Sequence, residues 1–305
     1  MNTMKIIKNI KLWTKNRKNL SLILALIIAL FIISLFKGLF ASGTETGEWN
    51  IDYMKYEKLH TIASGKGQKI ALIDSGVSDF QKVDKNINFT ESENKFDENG
   101  HGTMMYSLLK GYKDEVTGIA PDSQIISMKV MNDDESTTPK IVEEAIDSAI
   151  KEKVDLISLS LGSTKINKDI ENKINQAIEN GIIVVSSSGD YSQSFLLFPS
   201  SLENVISVGA ISANGRITDQ SNAPELTTIN APGDDIKVID NKKNIFYTSG
   251  TSQATAIVTG YIALIKETGL QVNKEIALDD MKHALTQIKE YDSTYLKELE
   301  KIKGL

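Results

Sequence analysis

Residues 68–77 read Gln-Lys-Ile-Ala-Leu-Ile-Asp-Ser-Gly-Val. Four apolar side chains in succession, Ile70 to Ile73, leave no wet face for a strand. The run stops at a carboxylate, Asp74, followed by the turn former Ser75-Gly76. A strand buried on both sides belongs to a parallel sheet covered by helices. The pattern repeats downstream. Ser123–Met131, Val154–Leu161, Ile182–Ser187 and Val205–Ile211 read as further strands. Between them, Thr138–Lys151 carries Ile141, Val142, Ala145 and Ala149 on one helical face, and Lys168–Asn180 is helical and stops at Gly181. Thr251–Thr268 and Lys274–Glu290 read as later helices. Alternating strands and helices predict an α/β fold. In such sheets ligands sit beyond the carboxyl ends of the strands, the position Asp74 takes.

The chain has 305 residues, with 34 basic and 40 acidic side chains and no cysteine. The charge is unevenly placed. Residues 1–43 hold Lys5, Lys8, Lys11, Lys15, Arg17, Lys18, Lys37 and no acid, which leaves 27 bases against 40 acids, a net −13, beyond residue 43. An acidic body excludes nucleic acid as its partner, because phosphate neutralisation needs a basic surface. The missing cysteine excludes disulfides, thiolate metal sites and a cysteine nucleophile. Leu20 to Phe36 is an uncharged apolar run that, extended over residues 20–40, is long enough to span a bilayer. Six positive charges precede it, so a cytoplasmic basic arm at residues 1–19 and an external body are expected. Two readings stand: an uncleaved single-pass anchor in the cell membrane, or a signal peptide cut near Ala41 and Gly43 to give a secreted protein. A linker at 41–50 then leads to one domain at 51–305.

Three short blocks carry the chemistry. Asp74 closes a strand in ALIDSGV, His101 opens a helix in NGHGTMMYSLL, and Ser252 begins another in TSGTSQATAIVTGY. Singly each is an ordinary turn or cap. In the order Asp, His, Ser they resemble the subtilisin-like serine peptidases, the subtilases. The resemblance runs from about Ile51 to Lys266. It includes SLSLG at 158–162, SSSGD at 186–190, FPSSLENVISVGAI at 198–211 and APG at 231–233. It implies a three-layer α/β sandwich with a mostly parallel central sheet, here preceded by one N-terminal transmembrane helix. It also implies a serine endopeptidase acting on peptides or proteins. Ser252 would be the nucleophile, His101 the general base and Asp74 its orienting partner. The helix N-terminus at Ser252, with the Ser252 N–H as donor, would face the developing oxyanion. His60 and His283 lie in no such block and read as structural or surface residues.

The chain departs from the family at the second oxyanion donor, normally an asparagine and here Asp190. An ionised carboxylate has no proton to give; a protonated one has. Three accounts follow. Asp190 is kept neutral in the occupied site, or it limits a slow and specialised peptidase, or it marks a catalytically impaired protein kept for binding peptides. Met104, Ser107, Gln253 and Ala256 also differ from the usual residues and predict altered packing rather than altered chemistry. The resemblance places the pocket for the residue before the cut between Ser160, Leu161 and Gly162 on one side and Ser186, Ser187, Ser188 and Gly189 on the other. Leu197 is its floor, which favours a small or apolar residue. The −13 body favours cationic peptides by long-range steering.

The family's secreted members carry a folding propeptide, and the ten or so residues after Gly43 do not accommodate one. Leader-removing peptidases of bacteriocins and lantibiotics are among the members without it, so limited processing of exported peptides is expected. No cofactor is required for catalysis. Structural calcium is common in the family, but Glu91–Glu98 matches no recognisable calcium loop and reads better as a solvated acidic loop. Substrate and membrane are the expected partners, and a monomer the expected state.

Overall fold

A seven-stranded sheet in the order β2-β3-β1-β4-β5-β6-β7, every neighbouring pair parallel, organises the chain. The structure is a computed structural model in which residues 48–269 are described, all within one compact unit. Two short helices come first, α1 (Trp49–Met54) and α2 (Tyr56–His60), then β1 (Lys69–Asp74) and β2 (Lys85–Asn88). Helix α3 (His101–Lys110) leads to β3 (Gln124–Lys129), α4 (Pro139–Lys151) and β4 (Leu156–Leu159). Helix α5 (Lys168–Glu179) precedes β5 (Ile183–Ser187), β6 (Ile206–Ile211) and β7 (Ile229–Pro232). An antiparallel hairpin, β8 (Ile236–Ile239) and β9 (Ile245–Thr248), precedes the last described helix, α6 (Thr251–Glu267).

The period-two alternation of strand side chains builds two cores. Ile70 and Leu72 of β1 face the layer of α1, α2, α3 and α6, while Ala71 and Ile73 face α4 and α5. Leu156 and Ile157 of β4 divide the same way. The result is the three-layer arrangement expected for the family. Helix α6 is the centre of its layer. Thr251 and every residue from Gln253 to Ile265 are buried, and of residues 251–265 only Ser252 reaches solvent. Its far end is anchored too, since Glu267 Oε2 accepts the amides of Ser64, Gly65 and Lys66 just before β1.

The expected strands occur, each one to four residues shorter than read. Several features escaped the reading, among them the hairpin β8–β9 and the helices α1 and α2. β2, Lys-Asn-Ile-Asn, is an edge strand without a buried face, so it has no apolar run to announce it. β7 is the other edge and ends in Pro232, which an edge tolerates. The domain also begins earlier than residue 51. Trp49 and Asn50, read as linker, are buried, and the Trp49 indole donates to Asp234 O at 2.8 Å. Among the described residues no helix is long and apolar enough to cross a membrane. The span expected at 20–40, the helix at 274–290 and His283 lie outside the described residues.

Candidate active site

Asp74 sits at the carboxyl end of β1, the third of the seven strands, between β3 and β4. It is fully buried. Its Oδ1 accepts the Ser75 amide at 2.7 Å and His101 Nδ1 at 2.7 Å. An acceptor on Nδ1 places the proton there and leaves Nε2 as the basic nitrogen. Asp74 Oδ2 is buried without a partner, so no other donor dilutes the charge that bears on the imidazole. Burial lowers the His101 pKa. The Asp74 charge and hydrogen bond, with smaller contributions from Asp97 and Glu135, outweigh it and raise the value to about 8.

The His-Gly-Thr block is dictated by packing. A Cβ on Gly102 would overlap Gly76 O, so the first turn of α3 rests directly on the turn after Asp74. Only glycine permits that approach. Ser252, in the first turn of α6, lines the same cleft as His101, a cavity of about 560 Å³ at the carboxyl edge of the sheet. Asp190, Ser187 and Gly189 also line it, with Ser160, Leu161 and Gly162 on the opposite wall and Leu197 between them. Ser163 and Phe198 exchange two main-chain hydrogen bonds of 2.8 Å and hold the walls together. Leu197 is buried and packs so closely that a Cβ on Gly162 or Gly189 would lie 2.9 or 2.7 Å from its side chain. Ser186 and Ser188, expected in that wall, do not line the cleft. Their hydroxyls are buried without partners.

Asp190 shares the cleft with His101 and Ser252 and also contacts the helix that carries Ser252. Its Oδ1 accepts the amide of Thr251 at 2.8 Å, so the carboxylate caps the helix whose next residue is Ser252. The residue is exposed as a whole, but its carboxylate turns onto Thr251 and Gly250. Local desolvation raises its pKa. The amide and hydroxyl of Thr251 and the nearby His101 pull against that rise.

Residues that the sequence reading did not single out complete the site. Asp97 Oδ1 and Oδ2 together accept five hydrogen bonds that tie α3 to the turn after Asp74. The only available signal was an acid four residues before His101. Lys129 is buried, and its ammonium donates to Asn94 O at 3.0 Å, Phe96 O at 2.9 Å and Glu98 Oε2 at 2.6 Å. The loop considered for calcium therefore closes around a lysine. No group of three or more His, Asp or Glu residues is arranged to hold a metal among the described residues. Ser107, one of the unusual residues, is buried and its hydroxyl accepts the Ile239 amide at 3.4 Å, which fastens the hairpin to α3. His60 Nε2 bonds Ile119 O at 3.0 Å, well away from the cleft.

A doubly wound parallel sheet with an Asp–His pair and a helix-borne serine on one cleft is the architecture of a serine hydrolase. The subtilase family model matches residues 65–292, and the chain belongs to that family. It is similar to the minor extracellular protease Epr of Bacillus subtilis, 29% identical over 258 residues, covering 77% of this chain and 39% of that protein. It is 34% identical over 212 residues to the thermophilic serine proteinase of Bacillus sp. strain AK1, covering 67% of this chain and 53% of the relative. The major intracellular serine protease of Bacillus subtilis is 30% identical over 221 residues, covering 66% of this chain and 69% of that protein. The chain thus spans well under two thirds of the first two relatives.

Proposed function

We propose that this chain is a serine endopeptidase of the subtilase family that carries out limited processing of exported peptides or proteins. The 2.7 Å contact between Asp74 and His101, on a cleft shared with Ser252, carries the reading. His101 Nε2 takes the proton of Ser252 Oγ as the oxygen attacks the scissile carbonyl. The same proton then goes to the leaving amine, and the acyl-enzyme is released by water activated in the same way. Asp74 stabilises the imidazolium formed in each step. The Ser252 N–H and the positive end of α6 receive the oxyanion. Asp190 adds a donor only when it is protonated, which favours slow and selective turnover over bulk digestion.

The cleft walls favour a substrate class. Glu135 and Asp190 line them and, among the described residues, no lysine or arginine does, so cationic residues are welcome along the cleft. Leu197 between the walls favours a small or apolar residue at the cut. The apolar run at residues 20–40 and one relative named as extracellular support export, with the body outside the cell and either anchored or released.

A peptide-binding protein without turnover is the second reading, favoured by a carboxylate at 190 that has no proton to donate when ionised. A fluorophosphonate probe separates the two. Covalent labelling of the wild type at Ser252, absent in Ser252→Ala, supports the peptidase. No labelling between pH 5 and 9 with peptide affinity retained supports the binding protein.

A further inference from the structure

Asp97 is 6% exposed and accepts from five donors. Oδ1 takes Ser75 Oγ at 2.9 Å, the Asn99 amide at 3.1 Å and the Gly100 amide at 2.8 Å. Oδ2 takes the Thr103 amide at 2.9 Å and Thr103 Oγ1 at 2.5 Å. The hydroxyl protons are thereby assigned. Ser75 Oγ gives its proton to Asp97 and accepts the Gly102 amide at 2.9 Å. Thr103 Oγ1 gives its proton to Asp97, so the 2.9 Å contact with Ser78 Oγ must be donated by Ser78. Three amides and two hydroxyls aim at one side chain, and only a carboxylate accepts them all.

The two segments joined by this carboxylate are those that bear the Asp74–His101 pair. Ser75 follows Asp74 and bonds its Oδ1, and Gly100, Gly102 and Thr103 surround His101 in sequence. We infer that Asp97 is a positioning residue of the active site: it locks the turn after β1 to the first turn of α3 and so sets the contact between Asp74 and His101. The inference rests on the peptidase reading of Asp74, His101 and Ser252. Asp97 also acts on the imidazole through space, as one of the charges that raise the His101 pKa. The other titratable groups facing His101 are Asp74, Glu135 and Asp190.

Two variants of the full chain separate position from charge. Asp97→Asn keeps the size but sets an amide where five donors converge. It should lower kcat by on the order of 10²-fold with KM nearly unchanged, the scale of a misplaced catalytic group. Its His101 titration, followed by NMR, should fall below the wild-type value of about 8, and the low-field Nδ1–H signal should be lost. Ser75→Ala breaks one link and leaves the charge, so kcat should fall while the His101 titration stays in place. The inference is overturned if folded Asp97→Asn retains wild-type kcat and its Nδ1–H signal. Should Asp97→Asn not fold, wild-type kcat in Ser75→Ala overturns it. A wild type that neither turns over nor reacts with the probe defeats the peptidase reading instead, and the His101 NMR comparison still decides the role of Asp97.

Discussion

The Asp190 carboxylate accepts the Thr251 amide at 2.8 Å, one residue before the expected nucleophile. An acid therefore occupies the positive end of the helix that should receive the oxyanion. That single contact couples helix stability, charge and turnover, and its parts can be pulled apart by substitution.

Asparagine at 190 keeps an acceptor for Thr251 and supplies an N–H₂ beside the oxyanion. Asp190→Asn should raise kcat at pH 7 by about 10²-fold, the magnitude that one oxyanion donor carries in subtilisin, a member of the same family. Steady-state kinetics on the folded variant decides; equal or lower activity would sink the donor argument.

The pH profiles of wild type and Asp190→Asn should diverge at alkaline pH. His101 must be neutral to act as a base, so activity rises as pH passes its pKa of about 8. If the wild type also needs protonated Asp190, that form shrinks as pH rises beyond the raised Asp190 value. Above both values wild-type activity should decline while Asp190→Asn stays level. A wild-type profile that climbs through pH 8 to a plateau would mean that Asp190 donates nothing.

Removing the cap itself is a separate test. Asp190→Ala loses the acceptor for Thr251 and should cost about 1 kcal/mol of folding stability, measured by urea unfolding. Asp190→Asn should cost much less. Equal losses in both variants would show that the carboxylate charge, not the hydrogen bond, supports the helix.

Leu197→Ala should destabilise the domain by about 2–3 kcal/mol through the cavity it leaves. In profiling with peptide libraries, preference at the cut should move from small residues toward larger apolar ones, because both walls close on this side chain. An unchanged profile would remove Leu197 from the pocket.

The loop at residues 94–98 gives its acceptors to Lys129, so a chelator should leave the thermal midpoint unchanged. Lys129→Ala removes the shared donor to Asn94 O, Phe96 O and Glu98 and should cost about 2 kcal/mol. A drop in Tm on chelation would point to a bound cation elsewhere in the chain.

Most of the fold was legible in the sequence, because burial on both faces writes itself as apolar runs such as Ile70–Ile73 and Ile182–Val185. The edge strand β2 was not, since it buries no residue fully, and β7 was not because Ile-Asn-Ala-Pro is too short and mixed to read as a strand. The three site blocks were legible for a related reason. Each joins a chemical group to a backbone constraint, as His101 is joined to Gly102, where a side chain would strike Gly76 O.

By itself the sequence determined the α/β architecture, the family, and the candidate residues Asp74, His101 and Ser252, since hydrophobic periodicity and short motifs are written locally along the chain. Tertiary structure alone decided what the remaining polar side chains do. Asp190 reaches Thr251 across 61 positions, and Lys129 reaches Glu98 across 31. Ser186 and Ser188 turn away from the cleft that their neighbours line. Partners for a buried charge are chosen by proximity in space, and the order of residues along the chain does not encode that proximity in any short pattern.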